Sequence, residues 1–338
     1  MPDTILYDSA MRLFGDLVTS EVSAAAERGI WPERLWHAVE EAGYPDVLAN
    51  GPSGMVEAAT ILRAAGHHAA PTPLAETMLA RWLCAACAVE APAGALTIGP
   101  VEPEDRLDIA EAAVSGNAGY TPWGRAVAAV VLIASNRLLV VEQPAASFTP
   151  GTNLAGEPRD HLGMVEPGGR SAPLPAAVEV GLVQRYGALF RAAQMAGAME
   201  AALLLSTRYA NDRVQFGRPI AKFQAIQQQL ALLAEEAAAA LVAVESAASA
   251  VAAERPSAAL AVAAAKIRAG EAAGKVAEIA HQVHGAIGFT HEHSLHRLTR
   301  RLWSWRDEFG TESRWSQELG KAVMAAGADA LWPTITTG

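Results

Sequence analysis

Two short polar breaks interrupt the alanine-rich, helix-forming second half of this 338-residue chain. The first runs from Arg208 to Ile220 and contains Arg213, Gln215, Phe216 and Gly217. A guanidinium presents a planar fork of donors that suits a pyrophosphate, which a lysine cannot match in a bidentate way. Gln215 adds amide donors and an acceptor, and Phe216 a flat face for an adenine or flavin ring. By residue type alone, the plainer reading is a helix–helix turn with a surface arginine. The second break, His281 to Phe289, carries Gln282, His284, Gly285 and Gly288. Further on, Asp307 and Glu308 form an acidic pair that either accepts a proton or is held by arginines such as Arg301 and Arg306.

Two other clusters invite a chemical reading. His281, His284, His291, His293 and His296 lie close together, but no cysteine or carboxylate set accompanies them, so no metal is expected. His284 falls inside the second break and reads as a cofactor or interface contact. Trp303 and Trp305 read as packing residues. Cys84 and Cys87 have C-x-x-C spacing within a helical-looking segment and lack a second pair, so they read as free, mostly buried thiols.

The elements that must position these groups follow from composition. Hydrophobic residues make up 51% and charged residues 18%, which implies an ordered chain with a large core. The net charge of −10 argues against nonspecific nucleic-acid binding. Met1 to Thr4 shows no leader signature, and apolar runs are broken by Glu, Gln and Arg, so no membrane span and a cytoplasmic location are expected. Residues 1–92 read as helices. Leu6, Met11, Leu13, Phe14 and Leu17 form an apolar stripe, and Trp31-Pro32-Glu33 starts a helix with proline in its first turn. Residues 93–174 contain short β-branched runs separated by turn residues, which predicts a small, mostly antiparallel β-domain. Residues 175–338 read as long helices at about 177–211, 222–253, 257–287, 295–307 and 312–330. The fold class is mostly α with a β-insert, ending in a tight four-helix bundle that favours association.

Arg213-x-x-Phe216-Gly217-x-Pro219-Ile220 followed by Phe223-Gln224, together with Gln282-x-x-Gly285-x-x-Gly288-Phe289, resembles the acyl-CoA dehydrogenase family. The resemblance implies FAD as cofactor, with Arg213, Gln215, Phe216 and Gln224 as contacts, partly across a subunit interface. It implies that Gln282, Gly285 and Gly288 touch the pyrophosphate or adenosine end on a neighbouring subunit. Glycine suits that task because backbone can then approach a phosphate closely. Pro122-Trp123-Gly124-Arg125, Asn153 to Pro158 and Trp305 to Gly310 are similar to the steroid side-chain members built from two unlike subunits, which adds Trp123 as a cofactor contact.

What the family does implies an acyl-CoA substrate, hydride transfer from Cβ to the flavin, and removal of a Cα proton by a desolvated carboxylate. Electron-transfer flavoprotein is the implied acceptor. The position that usually holds the carboxylate, before Gly310-Thr311, is Phe309 here. The minority position, on the first helix of the C-terminal domain, falls near Gly187. The usual flavin-facing Thr-Glu-Pro loop is absent, and Leu96 to Pro100 sits where it belongs. Three functions are expected in turn: the base-less subunit of an α2β2 dehydrogenase of steroid degradation, a self-sufficient enzyme with Glu308 or Asp307 as displaced base, or a non-redox subunit that is structural or binds a CoA ester.

Overall fold

The chain opens on helices α1 (Thr4–Leu17), α2 (Ser20–Glu27), α3 (Glu33–Glu41), α4 (Gly54–His67) and α5 (Leu74–Ala86). The computed structural model describes residues 4–101, 106–110, 113–134, 136–143, 145–165 and 168–337. Met1 to Asp3, read above for a leader, lies outside them. Thr19 caps α2, its hydroxyl accepting from the amide of Val22. Pro32 sits just ahead of α3 rather than inside its first turn, where its missing N–H costs nothing.

The middle of the chain forms β1 (Leu96–Gly99), β2 (Arg106–Ala110), β3 (Ala113–Pro122), β4 (Ala129–Ala134), β5 (Arg137–Glu142), β6 (Ala146–Thr149), β7 (Arg159–Val165) and β8 (Arg170–Pro173). They make two four-stranded sheets, in orders β1-β4-β5-β8 and β2-β3-β7-β6. Every pairing within them is antiparallel except β1 with β4. Strand alternation sorts the apolar residues between two cores. Val130, Leu132, Leu139 and Val141 pack on Ile109, Ala118 and Leu162 between the sheets. Val131, Ile133, Leu138 and Val140 turn to the helical side.

The C-terminal part comprises α6 (Val180–Asp212), the small hairpin β9 (Val214–Gln215) and β10 (Arg218–Pro219), α7 (Gln224–Ala252), α8 (Ala258–His284), α9 (Leu295–Trp305), α10 (Glu312–Ala326) and α11 (Ala328–Thr337). Helices α6, α7 and α8 pack on one another, with α9 against α6 and α10 against α8. The single helix expected at 312–330 is divided by Gly327, held at φ 83°. Helix α6 is long and apolar enough to cross a membrane, contrary to the expectation above, but most of it is buried inside the fold.

Two glycines bring α4 onto α6. A Cβ on Gly66 would lie 2.0 Å from the Gln194 carbonyl oxygen, and one on Gly197 would lie 1.9 Å from that of Arg63. Backbones this close admit only hydrogen at each position. The N-terminal helices are thereby fixed to the helix that carries the first polar break at its end.

Candidate functional site

The first break folds as the β9–β10 hairpin, whose two turn residues, Phe216 and Gly217, have φ of 52° and 78°. Positive φ at both turn positions is the type I′ hairpin geometry, which favours Asn-Gly or Gly-Gly. Phenylalanine accepts that conformation only under strain, and its ring is 91% exposed. Arg213, Gln215 and Gln224 are exposed beside it, and Arg213 forms no ion pair among the described residues. The Gln215 amide donates to the Val214 carbonyl at 2.8 Å, which leaves its oxygen outward. Nearby, the Arg218 guanidinium lies 4.4 Å over the Phe223 ring.

The second break ends α8 at Gly285, whose φ is 64°. Nothing lies within 4 Å of where its Cβ would stand, so the backbone there is open to a ligand. Gln282 is exposed one turn earlier. Tyr209 stacks on His284 with ring centroids 4.6 Å apart, and this contact joins the two breaks. Outward-facing donors from both segments are therefore set by one rigid junction.

Three expected contacts have other roles. His284 is 3% exposed, sandwiched by Tyr209 and His293, with its Nδ1 on the Ala280 carbonyl. Burial lowers its pKa, and it positions the junction, while its Nε2 is buried without a partner among the described residues. Gly288 is buried, and a Cβ would meet His284 at 3.0 Å and His281 Nδ1 at 3.2 Å. Its glycine is explained by internal packing, not phosphate approach. Trp123 is 6% exposed and meets Trp31 edge-on at 6.3 Å, which makes it a contact between the β-domain and the N-terminal helices. Leu96 to Gly99, expected at a flavin-facing loop, is a buried strand. Among the described residues no metal-binding cluster forms from the histidines. Trp305 is buried, and Trp303 stacks on His281.

The interior is as informative as the surface. Phe309 is 2% exposed at φ 55°, and its ring fills a notch over Gly187. A Cβ at Gly187 would stand 2.2 Å from Phe309 Cδ1. The two positions expected for a proton-accepting carboxylate thus converge on one spot, occupied by a phenyl ring packed on a glycine. The Trp315 indole donates to the Phe309 carbonyl at 2.9 Å. Lys266 Nζ donates to the carbonyls of Arg306 and Gly310, at 2.5 and 2.8 Å, bracketing the turn. Burial draws its ammonium down to about 8.

Glu308 points inward into a charge network. It accepts from Arg159 Nε and Nη2 at 2.8 and 2.9 Å, Arg191 Nε at 2.7 Å and Asn153 at 3.2 Å. Arg191 also pairs with Glu76, and Arg301 Nε with Glu157 at 3.1 Å. Burial alone would raise Glu157, but Arg301, Arg159 and Arg191 hold it down at about 2. With its oxygens engaged by two guanidiniums, Glu308 is not free to take a substrate proton, which corrects its expected role as a base. Of the acidic pair only Glu308 is arginine-held, by Arg159 and Arg191 rather than Arg301 and Arg306. Asp307 is exposed, and both it and Glu308 line a cavity of about 580 Å³ between the β-domain and the bundle. Tyr120, Asn153, Trp303, Thr311 and Arg314 also line that cavity. Partial burial raises the Asp307 carboxyl above its ordinary value.

Sequence reasoning missed Arg159, Arg191, Glu76 and Glu157. One signal was available: Arg191 stands between Phe190 and Ala192 in an apolar run, where an unpaired charge is too costly to bury.

The family model described as acyl-CoA dehydrogenase, C-terminal domain, matches residues 185–314. Acyl-CoA dehydrogenase IpdE2 of Mycobacterium tuberculosis is 33% identical over 82% of this chain and 82% of its own length. The IpdE2 of Mycolicibacterium smegmatis is 29% identical over 85% and 91%. Among solved structures, the ChsE4-ChsE5 complex from Mycobacterium tuberculosis shares the fold, with a TM-score of 0.82 and 22% identity over 96% of this chain and 97% of that one. The Tcur3481-Tcur3483 steroid ACAD does so with a TM-score of 0.84 and 24% identity over 96% and 98%.

Proposed function

This chain belongs to the acyl-CoA dehydrogenase family, and on that premise we propose that it is the base-less subunit of a two-chain, FAD-dependent assembly that desaturates a bulky acyl-CoA. The observation that carries this reading is the Phe309 ring seated on Gly187. A base must stand within hydrogen-bond reach of Cα. Both positions expected for one are here apolar and pressed together, so neither proton transfer nor an acyl chain finds room between them.

The outer face supports the complementary half. Arg213 is unpaired and exposed, the Gly285 backbone is open, and Phe216 presents its ring outward. These groups fit a dinucleotide pyrophosphate and a flat ring held against the surface by a second subunit. FAD, when bound, supplies the acceptor for the hydride leaving Cβ. Arg213, Gln215, Gln224 and Gln282 would bind and orient its polar portion. Phe216 would cover a ring face, and the Tyr209–His284 stack would keep the two segments in register. The partner subunit would supply the base, and electrons would pass on to electron-transfer flavoprotein. The structural neighbours ChsE4-ChsE5 and Tcur3481-Tcur3483 are each named as two-component assemblies, and the latter as a steroid enzyme, which supports a sterol side-chain thioester as substrate. A cytoplasmic location is part of the same reading.

A second reading has its own observation. Asp307 lies at the rim of the 580 Å³ cavity with its carboxyl raised, as suits a displaced base in a self-sufficient enzyme. The FAD-to-protein ratio from visible absorbance separates the two. Little FAD in the chain purified alone, restored by co-expression with a dehydrogenase-like partner and weakened by Arg213→Lys, is the expected result. One FAD per chain in the isolated protein refutes the shared site and makes Asp307→Asn the next variant. No FAD in either preparation leaves a non-redox subunit.

A further inference from the structure

A second cavity, of about 330 Å³, opens between the start of α2, the ends of α4 and α6, and the start of α9. It is lined by His67, His68, Arg208 and Arg297, and no carboxylate lines it among the described residues. In a chain of net charge −10 that is an unusual local balance. Arg208 is exposed and makes no ion pair or hydrogen bond among the described residues. Arg297 Nη2 makes one long contact, 3.4 Å, to the Ser20 carbonyl, while its Nε is buried without a partner. His68 Nε2 is also unpartnered, but it lies beside Gly15 of α1 and burial draws its imidazole down to about 4, so it adds no charge to the cavity. His67 Nδ1 has a carboxylate beside it, Glu200 at 3.9 Å, whose Oε2 also accepts from the Tyr7 hydroxyl and Arg63 Nε, each at 3.1 Å, so the charge open to the cavity is that of the two arginines. Ser294, just ahead of α9, makes no side-chain capping bond, so its hydroxyl is another available donor.

Buried donors without partners are rare, and each calls for something to accept from it. Two guanidiniums around one space match the oxygens of a phosphate group. The space equals roughly ten waters' worth of liquid, more than a bare phosphate fills. Leu204, Leu205 and Leu298 supply apolar wall for the remainder. We propose that this cavity binds a small organic phosphate monoester, its head on Arg208 and Arg297 and its apolar body on the three leucines. It is separate from Arg213, Phe216 and Gln282, and holds whether or not FAD is shared between subunits.

The test uses the full chain, with its partner subunit where it has one, titrated with 1-naphthyl phosphate and followed by naphthyl fluorescence. Saturable binding is expected, displaced by inorganic phosphate, with 1-naphthol not binding. Arg208→Gln should weaken binding by about tenfold, the worth of one charge-assisted pair. Arg208 is exposed and unpaired, so this variant should keep the wild-type melting temperature. Arg297→Gln should act in the same direction, and Arg213→Gln should leave binding unchanged. Absence of saturation, equal binding of 1-naphthol, indifference to Arg208→Gln, or an equal loss in Arg213→Gln would each overturn the proposal.

Discussion

Glu308→Gln separates a carboxylate that holds the fold together from one that does chemistry. Glu308 belongs to a buried set of three acids, Glu76, Glu157 and Glu308, and three arginines, Arg159, Arg191 and Arg301. The set ties α5, β7, α6 and α9 together, so it spans all three regions of the fold. Glutamine keeps the shape and one acceptor but removes the charge, and turns an NH2 group toward a guanidinium. Removing one partner of a buried pair costs about 3–5 kcal/mol. Arg159 keeps Glu157 and Arg191 keeps Glu76, so the low end, about 3 kcal/mol, applies. For a chain of this size that is a fall in melting temperature of about 6 °C, at about 2 °C per kcal/mol. The assay is thermal unfolding of the assembled protein at neutral pH, paired with acyl-CoA turnover well below the transition. The expected result is a lower melting temperature with turnover per folded assembly unchanged. An unchanged melting temperature with turnover abolished would show that Glu308 is the base, and would refute the structural role. The double variant Arg159→Met with Glu308→Leu should cost less than the sum of the single changes, because it leaves no charge orphaned between them.

Gly187→Ala should destabilise by about 1–3 kcal/mol, since the new methyl enters the Phe309 ring. Adding Phe309→Leu should recover part of that loss; equal urea midpoints for wild type and Gly187→Ala would mean that the notch is not filled. Acid should act through Glu157, whose carboxyl lies at about 2 in the fold against 4.5. A depressed folded value means stability that is present above pH 4.5 and lost as pH falls toward 2, worth about 3 kcal/mol for this group. Urea midpoints at pH 7, 5, 4 and 3 should be level between the first two as far as this group is concerned, then fall; a level curve to pH 3 would contradict the buried pairing.

What was legible in the sequence was local. The hairpin carrying Arg213 and Phe216 is set by Gly217 and neighbouring residues, and the end of α8 by Gly285, so both could be read from a few positions. Helix and strand periodicity gave the three regions for the same reason. What stayed hidden depends on contacts distant in sequence. Arg159 and Glu308 are 149 residues apart, and Arg191 and Glu76 are 115 apart. Nothing in the string Asp307-Glu308-Phe309 says which carboxylate turns inward; the direction of the chain leaving α9 decides it. Gly288 and Trp123 misled for a related reason, because a residue type that suits a ligand also suits tight packing.

Phe216 and Phe309 are both phenylalanines at positive φ, and their opposite surroundings argue for one function. Such a conformation costs about 1–3 kcal/mol and persists only where something offsets it. For Phe309 the offset is visible: its ring is buried on Gly187 and its carbonyl is held by Trp315. For Phe216 the described residues offer little, since it is 91% exposed and meets Phe223 edge-on at 6.0 Å. Asparagine or glycine would serve that turn with less strain. The proposed ligand and second subunit would supply the compensation that Phe216 lacks within the chain. A chain closed at the position of its own base, yet holding a strained aromatic ring out to solvent, fits the proposal of a site shared with a second subunit.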